Sequence, residues 1–213
     1  MRGFGSIDRL APLTPTLSPN GEVYVARVSI KRTKRWRRDF DMLETRHPAT
    51  NDRRIEALLL AHELETFNSA YAAALDEQRL NDWAEMFTDD AFYVVISREN
   101  ADRGMPVGLI YCENKGMILD RAFALEKTAM FAPRYLRHIV GNLLVLGEEQ
   151  NGDIRARANY VVLQVLFDRP EAKLHQVGVY YDKFRRLGGE LKLAERRCVY
   201  DSLLVDNALC IPV

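Results

Sequence analysis

The spacing of hydrophobic residues divides the sequence into a helical first part and a strand-like second part. Apolar residues recur every three or four positions over 52–75, which predicts a long amphipathic helix that Asn51 or Asp52 can cap. Residues 79–87 and 114–128 show the same spacing and predict two further helices. The buried face of the first helix is expected to be Ile55, Leu58, Leu59, His62, Phe67, Ala70, Tyr71 and Ala74.

Strand-like segments, rich in β-branched and aromatic residues, fill most of the remaining chain. A turn is expected at 88–90 and a polar loop at 99–105, and Asn151-Gly152 and Gly188-Gly189 are typical of hairpin connections. Helices followed by hairpin-linked strands favour an α+β fold. A cone-shaped, curved antiparallel sheet around N-terminal helices would resemble the nuclear-transport-factor-like superfamily. Strands are expected at 91–97, 136–148, 153–168, 173–186 and 190–205.

The segment 153–168 changes its pattern halfway along. Small apolar residues alternate with polar ones up to Asn159, whereas from Tyr160 onward almost every residue is apolar. An antiparallel strand that keeps one face in water continues to alternate. We therefore expect helices to cover one face of this segment and another protein chain to cover the other.

The first fifty residues differ from the rest in charge, with ten Lys or Arg against five Asp or Glu in a chain that has 30 of each. Six basic residues surround Trp36 over 31–38, a pattern that can contact phosphates. Residues 13–22, however, resemble a translated intergenic repeat, and a regular protein sequence begins at Met42. We expect 1–41 to be a disordered or mistranslated extension without a nucleic-acid role, and 42–213 to be a single domain.

Composition narrows the class of protein without identifying it. The chain is 47% hydrophobic and 28% charged, which is typical of a globular protein. Its net charge is zero, so it has no overall positive potential that would attract nucleic acid or an anionic membrane. No apolar run reaches the ~20 residues that span a bilayer. Cys112, Cys198 and Cys210 lack paired spacing, which favours reduced thiols and a cytoplasmic location.

Motifs for chemistry are missing from the sequence. The histidines are scattered, with no spacing typical of a metal site, and there is no phosphate or dinucleotide loop. We assign no catalytic, cofactor-binding or metal-binding residue. A stand-alone isomerase or dehydratase with an internal pocket remains an alternative, because cone-shaped domains can place proton-transferring groups around a small substrate. Its candidate residues are Asp90, Tyr93, Asp120, His138 and Tyr180.

Several motifs, in this order, resemble the small (beta) subunits of bacterial aromatic-ring-hydroxylating dioxygenases. Residues 81–93 match their W-x-x-x-F-x-x-D-x-x-Y opening, and Asp120-Arg121 followed by Arg137-His138 matches their middle. Tyr200-Asp201-Ser202 and the apolar end 211–213 match their last strand and tail. The resemblance spans 55–213 and is greatest to small subunits acting on carboxylated aromatics: terephthalate, anthranilate or salicylate.

The resemblance implies a structural subunit with no cofactor of its own. Its partner would be a catalytic large (alpha) subunit that carries a Rieske iron–sulfur cluster and a mononuclear iron and receives electrons from an NAD(P)H-dependent reductase. Three small subunits would form a trimer within a hetero-hexamer that hydroxylates an aromatic ring in catabolism. The apolar segment 203–213 suits burial between subunits better than a free tail.

Four residues are our candidates for subunit contacts. Arg137 and His138 begin a long predicted strand, at a sheet edge, and arginine offers a planar fork of donors to a partner's carboxylates or carbonyls. Hydrogen bonding within this chain is the competing interpretation for both. Tyr200 and Asp201 belong to the tail motif of the family, and we expect them, like Arg137 and His138, to lie at subunit contacts.

Overall fold

The computed structural model describes residues 51–128, 131–202 and 211–213. The extension 1–41 and Cys210 lie outside these residues. Within them, no helix is long and apolar enough to cross a membrane. The elements are α1 (Asn51–Asp76), α2 (Leu80–Glu85), β1 (Phe87–Ser97), α3 (Arg98–Arg103), β2 (Ile110–Cys112), α4 (Lys115–Lys127), β3 (Arg134–Glu148), β4 (Ile154–Leu166), β5 (Ala172–Leu187) and β6 (Glu190–Tyr200).

The six strands form one curved sheet in the order β2-β1-β6-β5-β4-β3. The pairs are antiparallel except β1 and β6, which run parallel. Strand β3 therefore lies at one edge, as expected for Arg137 and His138. The α+β fold predicted from the sequence is confirmed: the concave face of the sheet encloses α1, α2 and α4, and the core lies between them.

Aromatic side chains make up much of this core. Trp83 lies edge-on to Phe87 and Tyr93, with ring centroids 5.4 and 5.5 Å apart, and Tyr160 stacks on Tyr180 at 4.2 Å. All five side chains are buried. Aromatic pairs in such offset or edge-to-face geometries add to the stabilisation from buried area.

The predicted face of α1 is correct only at Phe67, Tyr71 and Ala74, which lie in or against the core, whereas Ile55 and Leu58 are 54% and 69% exposed. Leu64 and Leu75 are fully buried but were not predicted. His62 and Ala70 are exposed too, and Leu59 is 64% exposed. The helix has 26 residues, about 39 Å, and only the part from Leu60 onward packs against the core.

Two further predictions of local structure are wrong, and one short strand was missed. The expected loop at 99–105 contains α3, whose first turn is capped by the Ser97 hydroxyl accepting from the Asn100 N–H, and which ends at Gly104 in a left-handed conformation. The expected turn at 88–90 lies inside β1, where the pairing with β6 shifts register between Phe87 and Phe92. Strand β2 was not predicted because three residues are too short to show a period.

Candidate functional site

A buried ion pair lies at the centre of the cone. Arg196 donates from Nε and Nη2 to the two carboxylate oxygens of Asp182, at 2.8 Å each, and from Nη2 to Asn68 Oδ1 at 2.6 Å. Its guanidinium lies over the rings of Tyr71 and Tyr180, 4.1 and 4.3 Å from their centroids. Burial raises the pKa of Asp182, and the adjacent guanidinium opposes that rise. The positive charge of Arg196 and the negative charge of Asp182 therefore compensate each other within one chain.

Residues 211–213 enter this interior and are buried there. The carbonyl oxygen of Val213 accepts from the hydroxyls of Tyr71 and Tyr93, at 2.9 Å each, and the Val213 N–H donates to the Tyr93 hydroxyl at 3.1 Å. The Cys198 thiol lies 3.4 Å from the same carbonyl oxygen. Residues 211–213 thus pack inside their own domain, so for them the predicted burial of 203–213 between subunits is wrong, while 203–210 lie outside the described residues.

The candidate set for an isomerase or dehydratase does not come together. Asp90 is exposed and bound to Arg185 at 2.9 Å, and Asp120 is exposed on α4. His138 contacts Asp76 at the end of α1, and only Tyr93 and Tyr180 share the interior. The buried carboxylate of the interior is Asp182, which sequence analysis missed because its pairing with Arg196 depends on the register of β5 and β6.

Arg137 and His138 point to opposite sides of β3. The His138 ring is enclosed, with Nδ1 2.7 Å from Asp76 Oδ1, and its backbone N–H donates to both Asp76 oxygens at 3.1 and 3.2 Å. Asp76 thus accepts a hydrogen bond from a backbone N–H of β3, the edge strand of the sheet. The Arg137 side chain is 67% exposed, and its Nη1 lies 3.7 Å from Asp76 Oδ2. Arg137 is the one of the two that presents donors to solvent.

Tyr200 and Asp201 lie where β6 ends. Tyr200 is half-buried and packs against the main core, and burial raises the pKa of its hydroxyl. Asp201 is exposed and forms an ion pair with Arg98, the first residue of α3. Its backbone N–H donates to Val177 at 2.8 Å, so both residues are tied to neighbouring strands.

The convex side of β3, β4 and β5 carries an apolar surface, which we call the outer patch. The strand register places Ile139 opposite Val161 and Leu163 opposite Leu174, and the rings of Tyr135 and Phe167 lie 4.5 Å apart. Four members are 57% to 61% exposed. Contiguous exposed apolar surface is typical of a protein contact. The outer patch consists of Tyr135, Ile139, Val161, Leu163, Val165, Phe167, Leu174 and Val177.

The cofactors of a Rieske oxygenase do not fit the described residues. Across 51–128, 131–202 and 211–213, no three His, Cys, Asp or Glu side chains converge on a point where a metal ion would bind. Cys112 and Cys198 are buried, and burial raises the pKa of both thiols, which disfavours the thiolate that binds metals.

A family model and two related proteins match most of the domain. A family model described as "Ring hydroxylating beta subunit" matches residues 70–207. The anthranilate 1,2-dioxygenase small subunit of Burkholderia cepacia is 34% identical over 151 residues, which cover 71% of this chain and 92% of that protein. A beta subunit of the terephthalate 1,2-dioxygenase terminal oxygenase from Comamonas sp. is 31% identical over 154 residues, covering 71% and 97%.

A solved structure agrees with these relatives. It is a beta subunit assigned to an aromatic-ring-hydroxylating dioxygenase from Novosphingobium aromaticivorans DSM 12444. It superposes with a TM-score of 0.67 at 38% identity, and the match covers 74% of this chain and 99% of that one. The similarity therefore extends over nearly the whole of that protein.

Proposed function

Because the chain belongs to the family of ring-hydroxylating beta subunits, the small subunits of multicomponent aromatic-ring oxygenases, we propose that it performs no chemistry itself and holds catalytic alpha subunits together. The observation that carries this proposal is the outer patch, an apolar surface left open on a domain whose interior is filled. An internal-pocket isomerase would instead require an accessible interior, which residues 211–213 occupy here.

The patch supports an assembly of small subunits with large ones. The second half of β4 is apolar on both sides except at buried Gln164, and Val161, Leu163 and Val165 remain only half-buried in the single chain. A partner chain on this side would complete the burial that the sequence pattern requires. We propose a trimer of small subunits within a hetero-hexamer, with the Rieske cluster and mononuclear iron in the alpha subunit and NAD(P)H used by a reductase.

Arg137 is the residue we propose for a polar contact beside the patch. It lies opposite Leu163, its side chain is exposed, and its fork of donors suits a carboxylate or backbone carbonyls of a partner. His138 would act indirectly, because its buried ring binds Asp76, which also lies near Arg137. Asp201 and Tyr200 would contribute at the end of β6, where Asp201 is exposed.

The similarity to relatives supports a proposal for the substrate class. The two named above belong to enzymes for anthranilate and terephthalate, both carboxylated aromatic rings. We propose that the complete enzyme attacks a ring of that class in the cytoplasm. The alpha subunit would hold this ring, so substitutions in the present chain should change assembly and stability before they change substrate preference.

Purification with and without the alpha subunit tests the proposal. The chain produced alone should contain no iron and hydroxylate nothing. When co-produced with the alpha subunit, it should elute as a brown hetero-hexamer that contains iron and sulfide. Stoichiometric iron in the isolated chain, or failure to co-purify with the alpha subunit, would contradict it.

A further inference from the structure

A groove lies over β1 on the convex side of the sheet, outside the cone interior. Tyr93 and Val95 belong to the main core. Because side chains alternate along a strand, Phe92, Val94 and Ile96 point to the other side, where they form the floor of the groove. Its volume of about 310 Å³ lies within the range of small-molecule sites, roughly 300–1,000 Å³.

Two walls of the groove come from the strands on either side of β1. Tyr111 on β2 and Arg197 on β6 are both paired with Val94, so the three residues form one row across the sheet. The outer two residues are separated by two strand spacings, roughly 9.6 Å. The short Val94 side chain leaves a slot between the two longer ones. A single planar ring, which needs contacts of about 3.5–4 Å on each face, fits this slot.

The third wall is the segment 104–106, which follows α3. Its position is fixed by the residues that come after it, because the Leu109 N–H donates to the Val95 carbonyl oxygen at 2.7 Å. Gly108 permits this close approach, since a Cβ at that position would lie 2.8 Å from the same oxygen. The groove is therefore formed before any ligand binds.

The charges beside the groove favour an anion. Arg197 is one end of an ion-pair network in which three cations face two carboxylates. Arg157 adds a further positive charge in the same cross-strand row as Arg197. A ligand carboxylate would offset this excess of positive charge. The network consists of Arg155, Lys183 and Arg197 with Glu149 and Glu195.

Arg197 has the two properties that binding of an aromatic carboxylate requires. Its guanidinium lies over the Phe92 ring, 5.0 Å from the centroid, and Tyr111 is edge-on to the same ring at 5.2 Å. Its ion pair with Glu195 holds the side chain in this place. A guanidinium has five N–H donors in a planar fork that matches a carboxylate, so one arginine can bind two carboxylates.

We propose that this groove binds a planar aromatic carboxylate, with the ring between Tyr111 and Arg197 and the carboxylate bound by Arg197. The inference rests on the side chains of the groove and not on the proposed role in assembly. None of the groove residues named here belongs to the outer patch, and the groove remains open when the alpha subunit binds. A ligand in it stabilises the folded chain by mass action, so the supply of an aromatic acid would set the stability of the small subunit.

A chemical-shift titration of the ¹⁵N-labelled full-length chain with benzoate tests the site. We expect the backbone amides of 104–111 and of Arg197 to shift, while the indole N–H of Trp83 in the interior does not. Benzamide has the same ring without the charge and should bind about tenfold more weakly, because it loses a charge-assisted hydrogen bond. Shifts centred on Trp83, or no saturable shift at all, would overturn the proposal.

Two substitutions with the same change of charge separate binding by Arg197 from a general attraction to positive charge. Arg197→Gln should weaken benzoate binding about tenfold and make it equal to that of benzamide. The matched control Arg157→Gln removes a charge from the same row but outside the groove. It should change the affinity by less than about twofold, because salt screens charges beyond about 8 Å. Equal weakening by both variants would contradict a carboxylate bound by Arg197.

Thermal melting shows whether each variant folds. If Arg197→Gln does not fold, Tyr111→Ala decides the matter, because Tyr111 is 40% exposed on an edge strand. This variant should weaken benzoate and benzamide by the same factor, since it removes a wall against the ring, and unchanged affinities would refute the site.

Hydroxyl-radical labelling of the complex with the alpha subunit tests whether the groove stays open. Met105 and Tyr111, which line the groove and are exposed in the single chain, should be labelled to the same extent in the isolated chain and in the complex. Loss of labelling at both residues on assembly would show that the groove is a subunit contact, and the proposal would fail.

Discussion

The interior of the cone and the outer patch are both rich in apolar side chains, but they differ in what completes them. In the interior, Arg196 and Asp182 neutralise each other and Tyr160 donates to Gln176 at 2.7 Å, all between residues of one chain. On the outer patch, Leu174 and Phe167 are 60% and 61% exposed in the single chain. The difference fits the proposed role, in which the interior is completed within one chain and the outer patch would be covered by other chains.

Neighbouring residues of β3 show the same contrast at the scale of single side chains. His138 faces inward and binds Asp76, while Arg137 faces outward beside the patch. Alternation along a strand therefore assigns one residue to the fold and the next to the surface. Substitutions on the two sides should separate stability from assembly.

The largest effect is expected at the buried ion pair. Arg196→Ala leaves the Asp182 carboxylate buried without its partner, which should lower the free energy of unfolding by about 3–5 kcal/mol. Urea unfolding of the isolated chain measures the change. The double variant Arg196→Met, Asp182→Leu is the matched control and should recover most of the loss, since it removes both charges. Equal destabilisation by both variants would show that shape, and not charge, governs this site.

Next in size is a charge placed on the outer patch. Leu174→Asp should weaken assembly by about 3 kcal/mol, or roughly 150-fold in Kd, because binding would bury an unpaired carboxylate. Thermal melting of the isolated chain should hardly change, since Leu174 is exposed. Leu187→Asp, at the other end of β5 and also exposed, is the control and should leave size-exclusion profiles of the complex unaltered. The patch would be discounted if both variants assembled normally.

How far the sequence predicts these two regions can be judged from particular residues. Only the β4 part of the outer patch was predicted, because loss of alternation after Tyr160 is a local pattern, whereas the members on β3 and β5 join it through strand pairing. The ion pair was not, because Asp182 and Arg196 meet only through the β5–β6 register. The predicted burial of Leu58 is wrong, because helical periodicity identifies an apolar face but does not show at which residue of α1 the contact with the core begins.

A smaller effect separates the two residues of β3. Arg137→Ala should loosen the complex by about 2 kcal/mol, the lower end of the range for a truncated interfacial charge, and leave the isolated chain folded. His138→Ala should instead lower the melting temperature of the isolated chain, because it removes a buried ring that hydrogen-bonds to Asp76. Size-exclusion chromatography and melting curves on both variants make the test. The reverse pattern, a weakened monomer from Arg137→Ala alone, would place Arg137 in the fold.

The smallest effect is expected from removing the N-terminal extension. We propose that a chain starting at Met42 folds and assembles as the full chain does, because the basic, proline-containing segment before it differs in composition from the domain. Melting temperature, yield and elution volume of the complex should all match those of the full chain. Loss of folding or assembly would show that residues 1–41 belong to the functional protein.

The central claim, that partner chains cover the outer patch of a domain already complete inside, is tested most directly by side-chain footprinting. Hydroxyl-radical labelling of the isolated chain and of its complex with the alpha subunit would report the solvent exposure of each residue. The account predicts that Tyr135, Phe167 and Leu174 lose most of their labelling in the complex, while Leu187 keeps its own and buried Trp83 stays unlabelled in both. Undiminished labelling of those three patch residues in an intact complex would contradict it.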